Sequence, residues 1–401
     1  MMKLTTLLTS MAATILLAGA AQAQIAVKLG VLNDMSGVYA DISGPGSVVA
    51  AQMAVEDSKA AAHGIKIEIV SADHQNKPDN GSSIARKWYD QDGVDMILDV
   101  TTSSVALAVS EVTREKNKIF MISGGGTSDL TGSKCTPNNV HWTYDTWALA
   151  NGTGTAMTKR GGDSWFFLTA DYAFGAALER DTSAAVQKSG GKVLGAIKHA
   201  LSASDFSSQL LQAQGSKAKV IALANAGADT TNAIKQASEF GITQGGQALA
   251  GLLVFSSDVK ALGLKAAQGL VLTDAFYWDQ NDATRGFAKR FAAKFGGKMP
   301  TSSQAGVYSS ILHYVKALEA TKSKDTAALM AKMREIPVDD ELFGKGALRI
   351  DGRVTHPMYL FEVKKPEESK GEWDMYKTLA TIPADQAFRP LNEGGCPLVK
   401  S

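Results

Sequence analysis

From Gln24 onward the chain alternates short apolar runs with longer stretches of mixed polarity. The apolar runs are 25–32 (IAVKLGVL), 65–70 (IKIEIV), 94–100 (VDMILDV), 118–122 (KIFMI), 164–168 (SWFFL), 192–197 (KVLGAI), 218–223 (AKVIAL) and 268–272 (QGLVL). Each ends near Gly, Asn, Asp or Ser, and a short apolar run bounded by turn residues predicts a strand buried on both faces. Between them, 47–62, 103–116, 174–188 and 229–240 are rich in Ala, Lys, Gln and Glu and predict helices. Strands alternating with helices imply an α/β fold with parallel sheets covered on both faces. The alternation runs for about 250 residues, too long for one sheet of about five or six strands, so two sheets are expected.

Near Trp278 the pattern changes. Longer helices are expected at 282–295, 304–320 and 325–335, followed by short strands near 347–350 and 357–363. On 304–320, Tyr308, Ile311, Leu312, Val315 and Leu318 recur at helical spacing and predict a core-facing stripe. No fixed-period repeat and no low-complexity linker divides the chain. Several crossings, not one tether, should therefore join the two halves.

The length of 401 residues fits about two domains. With 41 basic against 40 acidic residues, the net charge of +1 argues against a nucleic-acid partner. Two cysteines exclude a disulfide-dense scaffold, a four-cysteine zinc module and a cysteine-ligated iron–sulfur cluster. Residues 1–23 place Lys3 ahead of an apolar run, Met11 to Ala20, and then Ala21-Gln22-Ala23. A positive start, a short apolar core and an A-x-A site predict a cleaved secretory signal and an exported chain with no membrane anchor.

Catalytic signatures are not found. There is no H-E-x-x-H, P-loop, EF-hand or G-x-S-x-G pattern, and the six His residues show no i,i+4 pairing. Nothing in the sequence asks for an enzyme, a cofactor or a metal. Small polar residues, in contrast, cluster after two predicted strands: Thr101-Thr102-Ser103-Ser104 and Ser123-Gly124-Gly125-Gly126-Thr127-Ser128. Ligands of open α/β sheets sit beyond the carboxyl ends of the strands. Hydroxyls and free amides at a helix N-terminus there favour an anion, and glycines admit it close to the backbone. Ser103 and Ser128 also fit the simpler role of helix N-caps.

Four segments, MSGVYADISGPG (35–46), MISGGGTSDLTG (121–132), LTADYAFG (168–175) and ANAGADTTNAIKQASEFGI (224–242), give the chain a family likeness. It resembles the periplasmic solute-binding proteins of ABC importers, of the leucine/isoleucine/valine-binding type. The resemblance implies the type I periplasmic binding protein fold: two Rossmann-like lobes, three hinge crossings and a ligand enclosed by closure. It places lobe one at 24–143 plus 279–345 and lobe two at 146–277 plus 346–382, with a tail at 383–401. By the same resemblance Ser103 and Thr127 hold a ligand carboxylate, with Thr102 and Gly126 beside them. Tyr172 and Phe174 form an aromatic wall, Asn225 and Asp229 lie on the next loop, and Tyr144, Phe276, Tyr277 and Trp278 fall near the hinge.

Two departures from that family stand out. Leu252 or Leu253 occupies the place of an acid that holds the ligand ammonium, although Asp229 remains available for that role. Ala226 and Gly227 replace bulky aromatics, which is expected to enlarge the cavity. The expected function is a monomeric, non-catalytic binder delivering a small acid, aromatic or branched, or a branched-chain amino acid, to an ABC permease in the membrane. The rival readings are a sensor domain and a secreted enzyme. Finally, an exported chain with an even cysteine count predicts a Cys135–Cys396 bridge tethering the tail to lobe one.

Overall fold

A computed structural model describes residues 24–400; the expected leader, 1–23, lies outside the described residues. Five strands, β1 (Ile25–Asn33), β2 (Ile65–Asp73), β3 (Met96–Asp99), β4 (Ile119–Ile122) and β5 (Asn139–His141), form a wholly parallel sheet in the order β2-β1-β3-β4-β5. The inner strands β3 and β4 are buried along their whole length, as continuous apolar runs require. The helix Gly44–Ser58 covers one face and starts with Pro45 in its first turn, where a missing N–H loses no bond. The helix Ser302–Thr321 packs against it and buries Ile311, Val315 and Leu318 from the expected stripe.

The second sheet contains β6 (Ser164–Ala170), β7 (Lys192–His199), β8 (Val220–Ala224), β9 (Ala248–Gly251) and β10 (Val271–Asp274) as parallel neighbours. After a small hairpin, β11 (Val338–Asp340) and β12 (Gly344–Gly346), the chain returns and adds β13 (Met358–Val363) and β14 (Tyr376–Ile382) antiparallel at one edge. The resulting order is β14-β13-β10-β9-β8-β6-β7. The fold is therefore α/β with two lobes.

Three stretches connect the lobes: 142–163 after β5, 275–281 after β10, and 347–357 before β13. Arg353 ties the first to the third. Its guanidinium is buried, lies 3.2 Å from the Asp145 carboxylate, and donates to the carbonyls of His141 and Thr143. Burial pulls its pKa down to about 10, against the pull of Asp145. The tail closes over this junction. Cys396 is bridged to Cys135, Arg389 donates to the Ser128 carbonyl at 2.9 Å, and the Phe388 ring lies 4.5 Å from the Arg353 guanidinium.

Some elements differ from expectation. The helix expected at 47–62 runs from Gly44 to Ser58; Lys59 turns left-handed, and a short 3-10 turn follows at Ala60–His63. No strand forms at 347–350, where Leu348 only meets Val354 in a single bridge; the hairpin lies earlier, at 338–346. β5, β9, β14 and the helices Pro78–Asp90 and Ser207–Gly215 were not anticipated. β5 is three residues long, too short for any period to show.

Candidate functional site

Residues that follow β1, β3, β4, β6, β8 and β9 converge on one cleft between the lobes, the position expected for a ligand of parallel sheets. The first lobe contributes Tyr39, Ile42, Thr101 and Gly124, the second Tyr172, Phe174, Ala226 and Leu253, and Tyr144 comes from the first crossing. They lie nearly in contact and leave a free cavity of only about 10 Å³ between them. No residue in this lining carries a charge.

A buried polar scaffold fixes the first-lobe side. Asp99 ends β3 with φ +76° and Val100 follows at φ +51°, a left-handed pair that turns the chain sharply toward the cleft. The Asp99 carboxylate accepts from Asn33 Nδ2 at 2.7 Å, Ser47 Oγ at 2.5 Å and Ser123 Oγ at 2.9 Å, with Ser43 Oγ at 3.4 Å. Burial still raises its pKa above the ordinary value, against these donors. Gly124 crosses directly over it; a Cβ there would lie 2.7 Å from Asp99 Oδ1. Thr101 Oγ1 joins the same network by donating to Asn33 Oδ1 at 2.8 Å.

A second chain of bonds holds the loop after β1. Asp34 accepts from the amides of Gly37 and Tyr39 at 2.7 and 2.9 Å and from Asn76 Nδ2 at 2.7 Å. Asn76 Oδ1 in turn accepts from the Thr102 hydroxyl. The loop that presents Tyr39 is thus linked to the segment after β3. Tyr39 reaches across the cleft, its hydroxyl 2.5 Å from that of Tyr172. Burial raises the pKa of both phenols, so both stay neutral at ordinary pH.

The residues singled out from the sequence fall into three groups. Tyr172, Phe174 and the alternative Leu253 line the cleft. Gly126 abuts it, since a Cβ there would lie 2.9 Å from the Phe174 ring. Ser103 and Thr127 come together, with Ser103 Oγ accepting from the Thr127 amide at 3.1 Å. Thr127 Oγ1 accepts from the Asp129 amide at 3.3 Å and so caps the turn Ser128–Thr131. Thr102 is engaged with Asn76. Ser103, Thr127 and Thr102 are fully buried behind the lining, and Asn225 and Leu252 do not line the cleft either. The Asn225 side chain is bound to His199 Nε2 at 3.0 Å and Thr230 Oγ1 at 2.6 Å, and Leu252 is fully buried in the apolar core.

Asp229 is different again. One carboxylate oxygen accepts from the Ser202 amide at 3.1 Å, while Oδ1 is buried with no bond among the described residues. Burial pushes its pKa up to about 6.

One expectation is overturned. Ala226 lines the cleft, but Gly227 does not enlarge it; the loop carrying Val38 and Tyr39 fills the space that Gly227 leaves. The Ala228 amide donates to the Val38 carbonyl at 3.2 Å. Sequence reasoning also missed Tyr39, Ile42 and Asp99, while Thr101 lies in the polar cluster expected after β3. The available signal for Tyr39 was Asn33-Asp34 at a strand end followed by Gly37, a loop-forming arrangement with an aromatic at its tip.

Comparison with known proteins identifies this architecture. Residues 26–372 match the family described as periplasmic binding protein. The chain belongs to that family. A solved periplasmic binding protein of Burkholderia mallei is 53% identical, covering 94% of this chain and 99% of its own, with a TM-score of 0.91. A branched-chain amino acid ABC transporter periplasmic ligand-binding protein of Burkholderia xenovorans is 41% identical, covering 93% of this chain and 99% of its own, with a TM-score of 0.83. The Leu/Ile/Val-binding protein homolog 6 of Brucella melitensis is 27% identical, with coverage of 90% and 93%. As a periplasmic binding protein the chain is a solute binder by family. No helix among its described residues is long and apolar enough to cross a membrane.

Proposed function

We propose that this chain is exported to the periplasm, closes its lobes 24–143 plus 279–345 and 146–277 plus 346–382 around a small carboxylate-bearing solute, and delivers it to the permease of an ABC importer. The first lobe offers neutral donors near Ser103, Thr127 and the glycines between them. The second offers an aromatic and aliphatic wall. Such a site suits an aromatic or branched acid with one charged end. Binding shifts the lobes toward closure because those two sets of contacts are available together only there. The observation that carries this reading is the uncharged lining of the cleft, with Leu253 where an ammonium would need an acid: a buried ammonium without such a partner is strongly unfavourable.

Asp229 supports a second reading. Its unbonded, buried oxygen would accept an ammonium, and the Burkholderia xenovorans relative is described as a branched-chain amino acid binder. Thermal denaturation separates the two. A ligand at 100 times its Kd adds about 2.7 kcal/mol, so benzoate or 4-methyl-2-oxopentanoate should raise Tm more than phenylalanine or leucine does. A larger shift with the amino acids transfers the assignment to the second reading. No shift with either class, together with turnover of a substrate, would favour an enzyme.

A further inference from the structure

Gly227 stands where the second lobe packs against the loop after β1. Its φ is +59°, and a Cβ there would fall inside contact distance of the Val38 carbonyl oxygen and lie 3.0 Å from Tyr39 Cδ1. Its neighbour supplies a bond to the same carbonyl, from the Ala228 amide at 3.2 Å. At the next residue of the first-lobe loop, Tyr39 meets Tyr172 hydroxyl to hydroxyl. The Val38–Tyr39 loop therefore lies over the cleft as a lid, tied to the second lobe by the Ala228–Val38 and Tyr39–Tyr172 bonds. It is a rigid lid, because Asp34 fixes its backbone through two amides.

We propose that Gly227 is a specificity-determining position: its missing side chain admits the Val38–Tyr39 lid, and the seated lid closes that end of the cleft to longer solutes. The proposal rests on the cleft being the solute site but not on the solute being an acid. Any side chain at 227 holds the lid off, which opens the end of the cavity to longer molecules and removes the Val38–Ala228 and Tyr39–Tyr172 bonds from the closed state. Closure then loses contacts that the solute does not supply.

The test compares Gly227→Ala with Gly296→Ala. Gly296 has the same φ of +59° but open space around its would-be Cβ, so it reproduces the backbone strain of alanine without the clash. Small-angle scattering of the unliganded full-length proteins should give a larger radius of gyration for Gly227→Ala than for Gly296→Ala or the parent. Calorimetry should show a tenfold or greater loss of affinity for benzoate in Gly227→Ala alone, with a smaller loss or a gain for the longer 4-phenylbutyrate. Equal radii and parallel changes for both acids would overturn the lid. If the parent binds neither acid, the carboxylate reading fails, and the lid is decided by scattering alone: a larger radius in Gly227→Ala sustains it, an equal radius refutes it.

Discussion

The two faces of the cleft are built on opposite principles. On the first-lobe face each group near the cleft has a polar support behind it: Asp99 under Gly124, Asn33 under Thr101, Asn76 beside Thr102, Asp34 inside the Tyr39 loop. The second-lobe face presents rings and aliphatic side chains, Tyr172, Phe174 and Leu253, over a strand β8 that is apolar throughout. A site of neutral donors recognises charge only if the donors cannot turn away, because in water each would find another partner. Apolar contact has no such demand; it needs area and fit. The first face is thus organised before a solute arrives, and the second supplies shape as it closes.

The sharpest way to break this contrast is to remove the support. Asp99→Ala leaves Asn33 Nδ2 and the hydroxyls of Ser43, Ser47 and Ser123 short of their acceptor, and places alanine at φ +76°. Buried donors left unmade, together with the strained backbone, should cost about 3–5 kcal/mol. Urea denaturation reads this as a lowered midpoint with little change in slope. A loss below about 1 kcal/mol would mean that the carboxylate is not the scaffold of the first lobe.

A smaller effect is expected where the donors themselves are changed. Ser103→Ala and Thr127→Val should each weaken a carboxylate ligand by about 1.5–3 kcal/mol, the range for a charge-assisted hydrogen bond. Thr127→Val also removes the cap on Ser128–Thr131, so it should lower stability by about 1 kcal/mol. Calorimetry and denaturation together separate the two losses. Unchanged affinity in both variants would remove these residues from the site.

Much of the fold was legible because parallel strands buried on both faces write themselves as apolar runs; β1, β4 and β6 fall within one or two residues of expectation at their starts. The clusters after β3 and β4 were equally visible, since hydroxyls and glycines gather there in sequence. What stayed hidden was long-range. Asp99 lies inside the apolar run 94–100 and shows its role only when Asn33, Ser47 and Ser123 arrive from elsewhere in the chain. Tyr39 has no sequence pattern to mark its partner, Tyr172. Gly227 reads in the sequence as space for a ligand, whereas Val38 and Tyr39 from the loop after β1 take that space. A sequence records the size of a side chain but not which neighbour will use the room.

The smallest expected effect concerns Asp229, a buried second-lobe acid with an oxygen unbonded among the described residues. Its folded pKa of about 6 lies above the unfolded value of roughly 3.9. The folded state therefore holds the proton more tightly between these values, and stability falls as pH rises through that window. The penalty is absent below about pH 4 and fully present above about pH 6. Asp229→Asn keeps an acceptor for the Ser202 amide and never carries the charge, so it should exceed the parent by of order 1–2 kcal/mol at pH 8 and match it at pH 4. The comparison must be between variant and parent, because burial also raises Asp258 and Asp274 to about 7 and both shape the parent's own profile. Urea midpoints at the two pH values decide it. If the variant gains nothing at pH 8, the second-lobe face tolerates a bare carboxylate; if it also stops binding leucine while still binding benzoate, Asp229 is the ammonium acceptor and the two faces each carry one half of an amino acid.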